Sequence, residues 1–527
     1  MDNQDFVEQT EELGAIGGLV KKLFTIKNPD SMLKQAESSG LKKTLGAFDL
    51  IILGVGAIIG SGIFTVVGIA AAGSAQTAGA GSGLVISVIL ASIACIFSAL
   101  CYSEFASMIP VAGSAYLYTY ATMGEFMAWM MGWILILEYI VAYIAVVSAW
   151  SGYFMHFLGG FSKYLPDFIV NPPVYLVHNY NTAYNELLAQ KINPVEHIPH
   201  IMGIPFSIDL PATLITILIV AILVKGIKES TKMAGFLVFV KLGVIALFVV
   251  TGLFYVKTQN WSTNWITPFI PTGASGIFMG AFTMFFAYIG FDAIATAAEE
   301  TKNPQRNLPI GIIGSLLVCT IVYVLVALVF TGVAPLDAIN INAPVASAMS
   351  IVGQDKIAGL ISLGALAGIT SVLLVMLLAG TRILFAMSRD GFLPKVLQNL
   401  HPKFKTPHIL TIMVGAVCIL GTLYLDLTES AKLCNYGTLT SFIIVCAAII
   451  ILRKIDPDRK RPFKVPLSPF LPLCGVLCCG GLMAYSMHSS KASTILFFVW
   501  LAIGIIFYFS YSYKNKRKLE QKGELDA

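Results

Sequence analysis

The segment Ile51-Ile-Leu-Gly-Val-Gly-Ala-Ile-Ile-Gly-Ser-Gly-Ile-Phe64 constrains this chain more than any other. Its apolar content suits a bilayer, yet Gly60-Ser61-Gly62 is poor material for a continuous helix. In hydrocarbon, each unpaired backbone N–H or C=O costs several kcal/mol. A break there persists only where something inside the protein uses the freed polar groups, and a carried solute is the natural candidate. A second interruption, Phe286-Ala-Tyr-Ile-Gly-Phe-Asp292, follows about 230 residues later; two such breaks in matching halves point to a secondary-transport site. Glycine also serves close helix packing, and Gly56 and Gly60 form a G-x-x-x-G pair, so an architectural reading stays open.

Composition supports the membrane reading. Of 527 residues 57% are hydrophobic and 12% charged, where soluble domains carry roughly 25% charge. The nine cysteines fall in apolar segments and read as small packing hydrophobes, with neither a disulfide framework nor zinc spacing. No G-x-x-x-x-G-K-[ST] is present to cradle a nucleotide phosphate, so uphill movement must draw on an ion gradient. No H-E-x-x-H, proteolytic aspartate pair or redox ligand set appears, so no enzyme, cofactor or metal is expected. His197-Ile-Pro-His200 reads as loop. The first forty residues hold no cleavable signal, and the first span is expected to insert itself.

Windows long enough to cross a bilayer give about twelve helices. They run near 47–72, 83–109, 126–157, 210–226, 234–256, 276–298, 309–333, 358–388, 408–426, 433–453, 468–486 and 493–513. With the N-terminus inside, the inner side collects roughly 27 Lys and Arg and the outer side roughly six, so both termini are predicted to be cytoplasmic. That arrangement makes 1–46 a cytoplasmic segment, 158–209 an external loop and 514–527 a cytoplasmic tail. Lys21 to Lys43 forms either an interfacial helix or a tether.

If the first five and next five helices form two halves, 47–256 and 276–453, followed by 468–513, both breaks lie in the first helix of a half. Half-helix N-termini then offer N–H groups to an anion and C-termini offer carbonyls to a cation. A zwitterion satisfies both: its carboxylate on the amides around Ser61 and Gly62, its ammonium on carbonyls near Ile58 and Phe286. An α-amino acid has that polarity.

Several motifs together are familiar: Gly56-Ala-Ile-Ile-Gly-Ser-Gly-Ile-Phe64, Ala112-Gly-Ser-Ala-Tyr116, Phe285 to Ala295, Glu299 to Pro309, and Ala386-Met-Ser-Arg-Asp-Gly-Phe-Leu-Pro394. They resemble the amino acid–polyamine–organocation superfamily, most closely the bacterial relatives of cationic amino acid transporters, from about Leu33 to the C-terminus. The resemblance implies an all-α membrane fold of two inverted five-helix repeats, with helices 1 and 6 broken, plus two C-terminal helices. It also implies amino acid uptake across the cell membrane, in many members coupled to protons. Expected partners are an amino acid, protons and membrane lipids, with no nucleic acid; a small accessory membrane protein is left open.

Ionisable residues inside spans are functional candidates. Lys241 sits about seven residues into the fifth span, roughly 10 Å along its axis. Snorkelling to the interface is one reading. By resemblance, its ammonium lies against helices 1 and 8, where sodium-coupled relatives hold Na⁺, and exchanges one proton per cycle. Thr370, Ser371 and carbonyls of helix 1 are its expected partners. Glu138, deep in the third span, either ties helices together or, by resemblance, lines the substrate pocket. Asp292 is expected to cap the second half-helix. Glu299, Glu300, Arg382, Arg389 and Asp390 form surface charges or an inner gate.

The resemblance places Phe286 as an aromatic cover over the substrate, beside Ala287 and Ile289. It places Met376 as a residue that shortens the side-chain pocket, which favours small or medium neutral amino acids over cationic ones. Exchange of amino acids is the alternative within transport, and a non-transporting sensor the remote one.

Overall fold

Apolar runs that cross lipid must have their backbones satisfied internally, and helices do this. The computed structural model describes residues 23–522 except 31, 34–42, 75–76, 112, 202–203, 227–229 and 262–271. Most of the N-terminal segment, including the greater part of the Lys21–Lys43 stretch, lies outside the described residues. Among those described, nine helices are long and apolar enough to span, Ala47–Ile58 with Gly62–Ala72 makes a bent tenth candidate, and two shorter apolar helices stand beside them.

Besides short helices in the loops, such as Tyr180–Ala189 and Pro344–Ile351, the chain forms α1 (Ala47–Ile58), α2 (Val67–Ala72), α3 (Leu84–Met108), α4 (Ser114–Met123), α5 (Glu125–Gly159), α6 (Leu210–Lys225) and α7 (Ser230–Leu253). Then follow α8 (Gly273–Phe285), α9 (Pro304–Val333), α10 (Asp355–Arg389), α11 (His408–Thr422), α12 (Leu427–Ile455), α13 (Phe470–Ser489), α14 (Lys491–Phe507) and α15 (Tyr513–Gln521). Two-residue antiparallel ladders, Gly73–Ser74 with Thr77–Ala78 and His200–Ile201 with Ile204–Pro205, are the described strands. The protein is an all-α membrane protein that crosses the bilayer many times.

Helix α5 is the inner post. It packs along α10 and α12, while α9 lies along both α1 and α3. The C-terminal α14 is fastened to α5 by a reciprocal pair: each of Trp133 and Trp500 donates its indole N–H to the other's carbonyl, at 2.8 and 3.0 Å, and the rings stack 4.5 Å apart.

Among the boundaries that differ from the sequence reading, three stand out. Helix α9 begins at Pro304, because proline's fixed φ and missing N–H suit a first turn. Helix α12 begins at Leu427, since Asp426 caps it by accepting the Glu429 N–H at 2.7 Å. The expected tail is partly helix: the chain runs from α14 through a π turn, Tyr508–Ser512, into α15.

Candidate functional site

Helix α1 stops at Ile58, and Ile59 turns extended with φ −74° and ψ 106°. The chain resumes as a π turn, Gly62–Val66, and α2, bent by 46° from α1. The carbonyls released at the end of α1 are taken up by side chains from neighbouring helices. Lys241 of α7, fully buried, donates from Nζ to the Gly56 carbonyl at 2.5 Å and the Ile59 carbonyl at 2.8 Å. A cation at a helix C-terminus meets the negative end of its dipole. Ser371 of α10 is a longer contact at 3.5 Å, and its own hydroxyl donates to the Gly368 carbonyl.

The second break is built differently. Helix α8 ends at Phe285, a tight 3₁₀ turn covers Phe286–Tyr288, and Gly290 adopts φ +117° before a 3₁₀ run from Phe291 to Glu300. This left-handed conformation suits glycine, and a Cβ there would also come within 2.9 Å of the Ala57 carbonyl oxygen. The two breaks touch: a Cβ added at Gly62 would lie 2.4 Å from the Ala287 Cα. One residue bonds to both. Tyr323 of α9 places its hydroxyl 2.7 Å from the Ala287 carbonyl and 3.1 Å from the Ile58 carbonyl.

The structure thus brings Ile58, Gly62, Ala287 and Lys241 into one neighbourhood. Ser61, Phe286, Ile289 and Met376 are buried as well. The Ser61 and Thr65 hydroxyls, at the start of the rewound segment, have no hydrogen-bond partner among the described residues. Tyr153 of α5 donates to the Phe64 carbonyl at 2.5 Å and holds the far side of that segment.

One expectation needs correction. Thr370 does not join Lys241: its hydroxyl accepts the Trp150 indole N–H at 2.9 Å and donates to the Leu366 carbonyl, because it points to α5 while its neighbour Ser371 points to α7. Asp292 sits within the first turn of the 3₁₀ run, where its carboxyl meets the backbone N–H groups of Gly290, Asp292 and Ala293, and the Tyr139 hydroxyl donates to it at 3.4 Å. A carboxyl there faces the positive end of that helix. Glu138 faces α12 at Gly437, buried, with Oε2 unpartnered among the described residues.

Where α4 begins and α10 ends, two of the recognised motifs meet. Tyr116 donates to Asp390 at 2.7 Å, and Lys27 lies 3.4 Å from the same carboxylate. Glu300 contributes its backbone, accepting the Thr44 and Leu45 N–H groups at 2.8 and 3.0 Å. Sequence reasoning missed Tyr323 and Tyr153. Each is one of 20 tyrosines, and neither stands in a motif that would single it out.

A family model described as amino acid permease matches residues 45–513. The methylthioribose transporter of Bacillus subtilis is 42% identical over 497 residues, covering 94% of this chain and 99% of the relative. The branched-chain amino acid permease BcaP of the same organism is 43% identical over 490 residues, covering 93% and 97%. The vacuolar cationic amino acid transporter 2 of Arabidopsis thaliana is 33% identical over 471 residues, covering 89% of this chain and 69% of the relative.

Proposed function

Because the chain belongs to the amino acid permease family of membrane transporters, we propose that it imports a small or medium neutral amino acid across the cell membrane by proton symport with alternating access. The observation that carries this reading is the Lys241 ammonium seated on the Gly56 and Ile59 carbonyls of a broken helix. A protonated lysine offers three donors and a full charge to the end of α1. Its neutral amine keeps two donors and no charge, so its hold on that end weakens when the proton leaves.

Proton loss therefore loosens α1 at the point where it meets the second break. The substrate's carboxylate lies on the amides around Ser61 and Gly62, and its ammonium on carbonyls near Ile58 and Phe286, with Tyr323 as the competing donor for the Ile58 and Ala287 carbonyls. Phe286 covers the substrate, and Met376 and Glu138 border its side chain. Two inverted repeats, 47–256 and 276–453, supply the matched breaks. The excess of inner Lys and Arg puts both termini in the cytoplasm.

The relatives' names favour a neutral aliphatic substrate, since a branched-chain amino acid permease stands among them. The methylthioribose transporter gives the test its contrast, because that neutral sugar thioether carries neither carboxylate nor ammonium. Purified protein in liposomes, given an inward proton gradient, is expected to concentrate leucine, isoleucine, valine or alanine into an empty lumen. Uptake only after the lumen is preloaded with amino acid would assign exchange. Concentration of methylthioribose alone would overturn the zwitterion site, and concentration of arginine would overturn the preference for neutral side chains.

A further inference from the structure

Helix α15 takes no part in the broken-helix site, and its two faces meet two surroundings. One face is bonded to protein. Glu125 Oε2 accepts from Lys516 Nζ and Arg517 Nη2, each at 2.9 Å, and its Oε1 accepts from the Tyr508 hydroxyl at 2.9 Å. Asn515 donates to the Gly391 carbonyl and Ser512 to the Phe392 carbonyl, at 2.9 and 2.7 Å. Since Glu125 is the first residue of α5, these bonds hold α15 at the depth where α5 enters the membrane.

The other face carries Lys514, Lys518 and Lys522, all exposed and spaced i, i+4, i+8, so they form one basic stripe. The residues just before it on the helical path are apolar and exposed: Ile503, Ile505, Ile506 and Phe509. Tyr511 follows. Apolar, aromatic and then lysine is the order of hydrocarbon, interface and headgroup along a membrane normal. Lys514 lies roughly 12 Å beyond Ile506 at 1.5 Å per residue, which carries it well away from that apolar band.

We propose that the Lys514–Lys518–Lys522 stripe is a docking surface for anionic phospholipid headgroups of the inner leaflet, which clamp α15 onto Glu125 and the 390–392 turn. Charge complementarity and continuity with the exposed apolar face of α14 carry the assignment. The choice of leaflet rests on the cytoplasmic placement of the C-terminus proposed above; the lipid class does not.

The test uses the full chain in nanodiscs, where both leaflets share one composition and the orientation reading cannot mask the result. Backbone hydrogen exchange over 513–522 is expected to slow by about an order of magnitude when phosphatidylglycerol replaces part of a phosphatidylcholine bilayer. K514Q/K518Q/K522Q should lose that response while exchange in α5 stays unchanged. K163Q/K191Q, exposed lysines in the 158–209 loop, should keep it. Native mass spectrometry should show phosphatidylglycerol retained by the parent chain and lost from the triple variant. Equal exchange in the two bilayers, or a triple variant that responds like the parent, overturns the proposal. So does inorganic phosphate reproducing the slowing in phosphatidylcholine discs, which would make the stripe a phosphate site with no need of a membrane.

Discussion

The two breaks solve one problem by different physics. At the first, the freed carbonyls of Gly56 and Ile59 are satisfied by a side chain from another helix, the ammonium of Lys241. At the second, the chain turns through a left-handed Gly290 into a tightened 3₁₀ run, and neutral side chains take the nearby carbonyls, Tyr323 that of Ala287 and Asn435 that of Phe282. The first arrangement depends on a proton and can be undone by losing it; the second depends on a missing Cβ and cannot. On the proposed reading, a transport cycle has its chemical handle at the first break, and the second serves as the fixed partner against which it opens. Tyr323 couples them by offering one hydroxyl proton to carbonyls on both.

The sharpest way to break this contrast is Lys241→Met. Uptake driven by a proton gradient is expected to fall to the level of empty liposomes, while substrate binding, read by thermal shift, persists. Undiminished gradient-driven uptake would remove the handle from the first break. Next in size is Gly62→Ala. The added methyl would lie 2.4 Å from the Ala287 Cα, a backbone atom that cannot step aside as a flexible side chain would. The expected result is loss of both binding and uptake, because the breaks are forced apart; normal affinity would show that their contact is dispensable.

Tyr323→Phe sharpens the coupling between the breaks. It removes the donor shared by the Ile58 and Ala287 carbonyls, a loss of about 1–3 kcal/mol for an unsatisfied buried acceptor. A raised KM with a modest fall in melting temperature is expected, and an unchanged KM would separate Tyr323 from the substrate path. A smaller effect, and a gain, is expected from Met376→Ala: measurable arginine uptake beside retained uptake of neutral amino acids, checked by competition.

The smallest effect lies away from both breaks. Asp209, just ahead of α6 and outside the span, accepts from the Ser151 hydroxyl at 2.6 Å and the Ala212 N–H at 3.0 Å. Burial pushes its carboxyl up to about 6. The folded chain then binds this proton more readily than the unfolded chain, whose carboxyl titrates near about 4, so the contribution to stability grows as pH falls through 6 towards 4. Asp209→Asn should flatten that slope in thermal melts between those values, and an unchanged slope would place its origin elsewhere.

The two breaks and the buried lysine were legible in sequence because the membrane punishes exceptions. Gly60-Ser61-Gly62 has few reasons to interrupt an apolar span, and Lys241 has few reasons to stand inside one. What escaped is set by helix rotation and by distance along the chain. Thr370 and Ser371 are adjacent, but the helical turn sends one to Trp150 and the other towards Lys241. Tyr323 lies in an apolar run where a tyrosine and a phenylalanine pattern alike. Helix α15 read as a solvated tail because its lysines dominate it, and its partner Glu125 is nearly four hundred residues earlier. The form of the second break was also hidden: Phe286-Ala-Tyr-Ile-Gly290 signals an interruption without saying that the chain tightens into 3₁₀ geometry.

The central claim is that one proton on Lys241 travels with each substrate molecule. Proteoliposomes carrying a pH-sensitive dye, with the membrane potential clamped, allow proton and amino acid entry to be followed together. The account predicts about one proton per amino acid for the parent chain, and substrate exchange without proton movement for Lys241→Met. Proton entry of equal stoichiometry in that variant would contradict it.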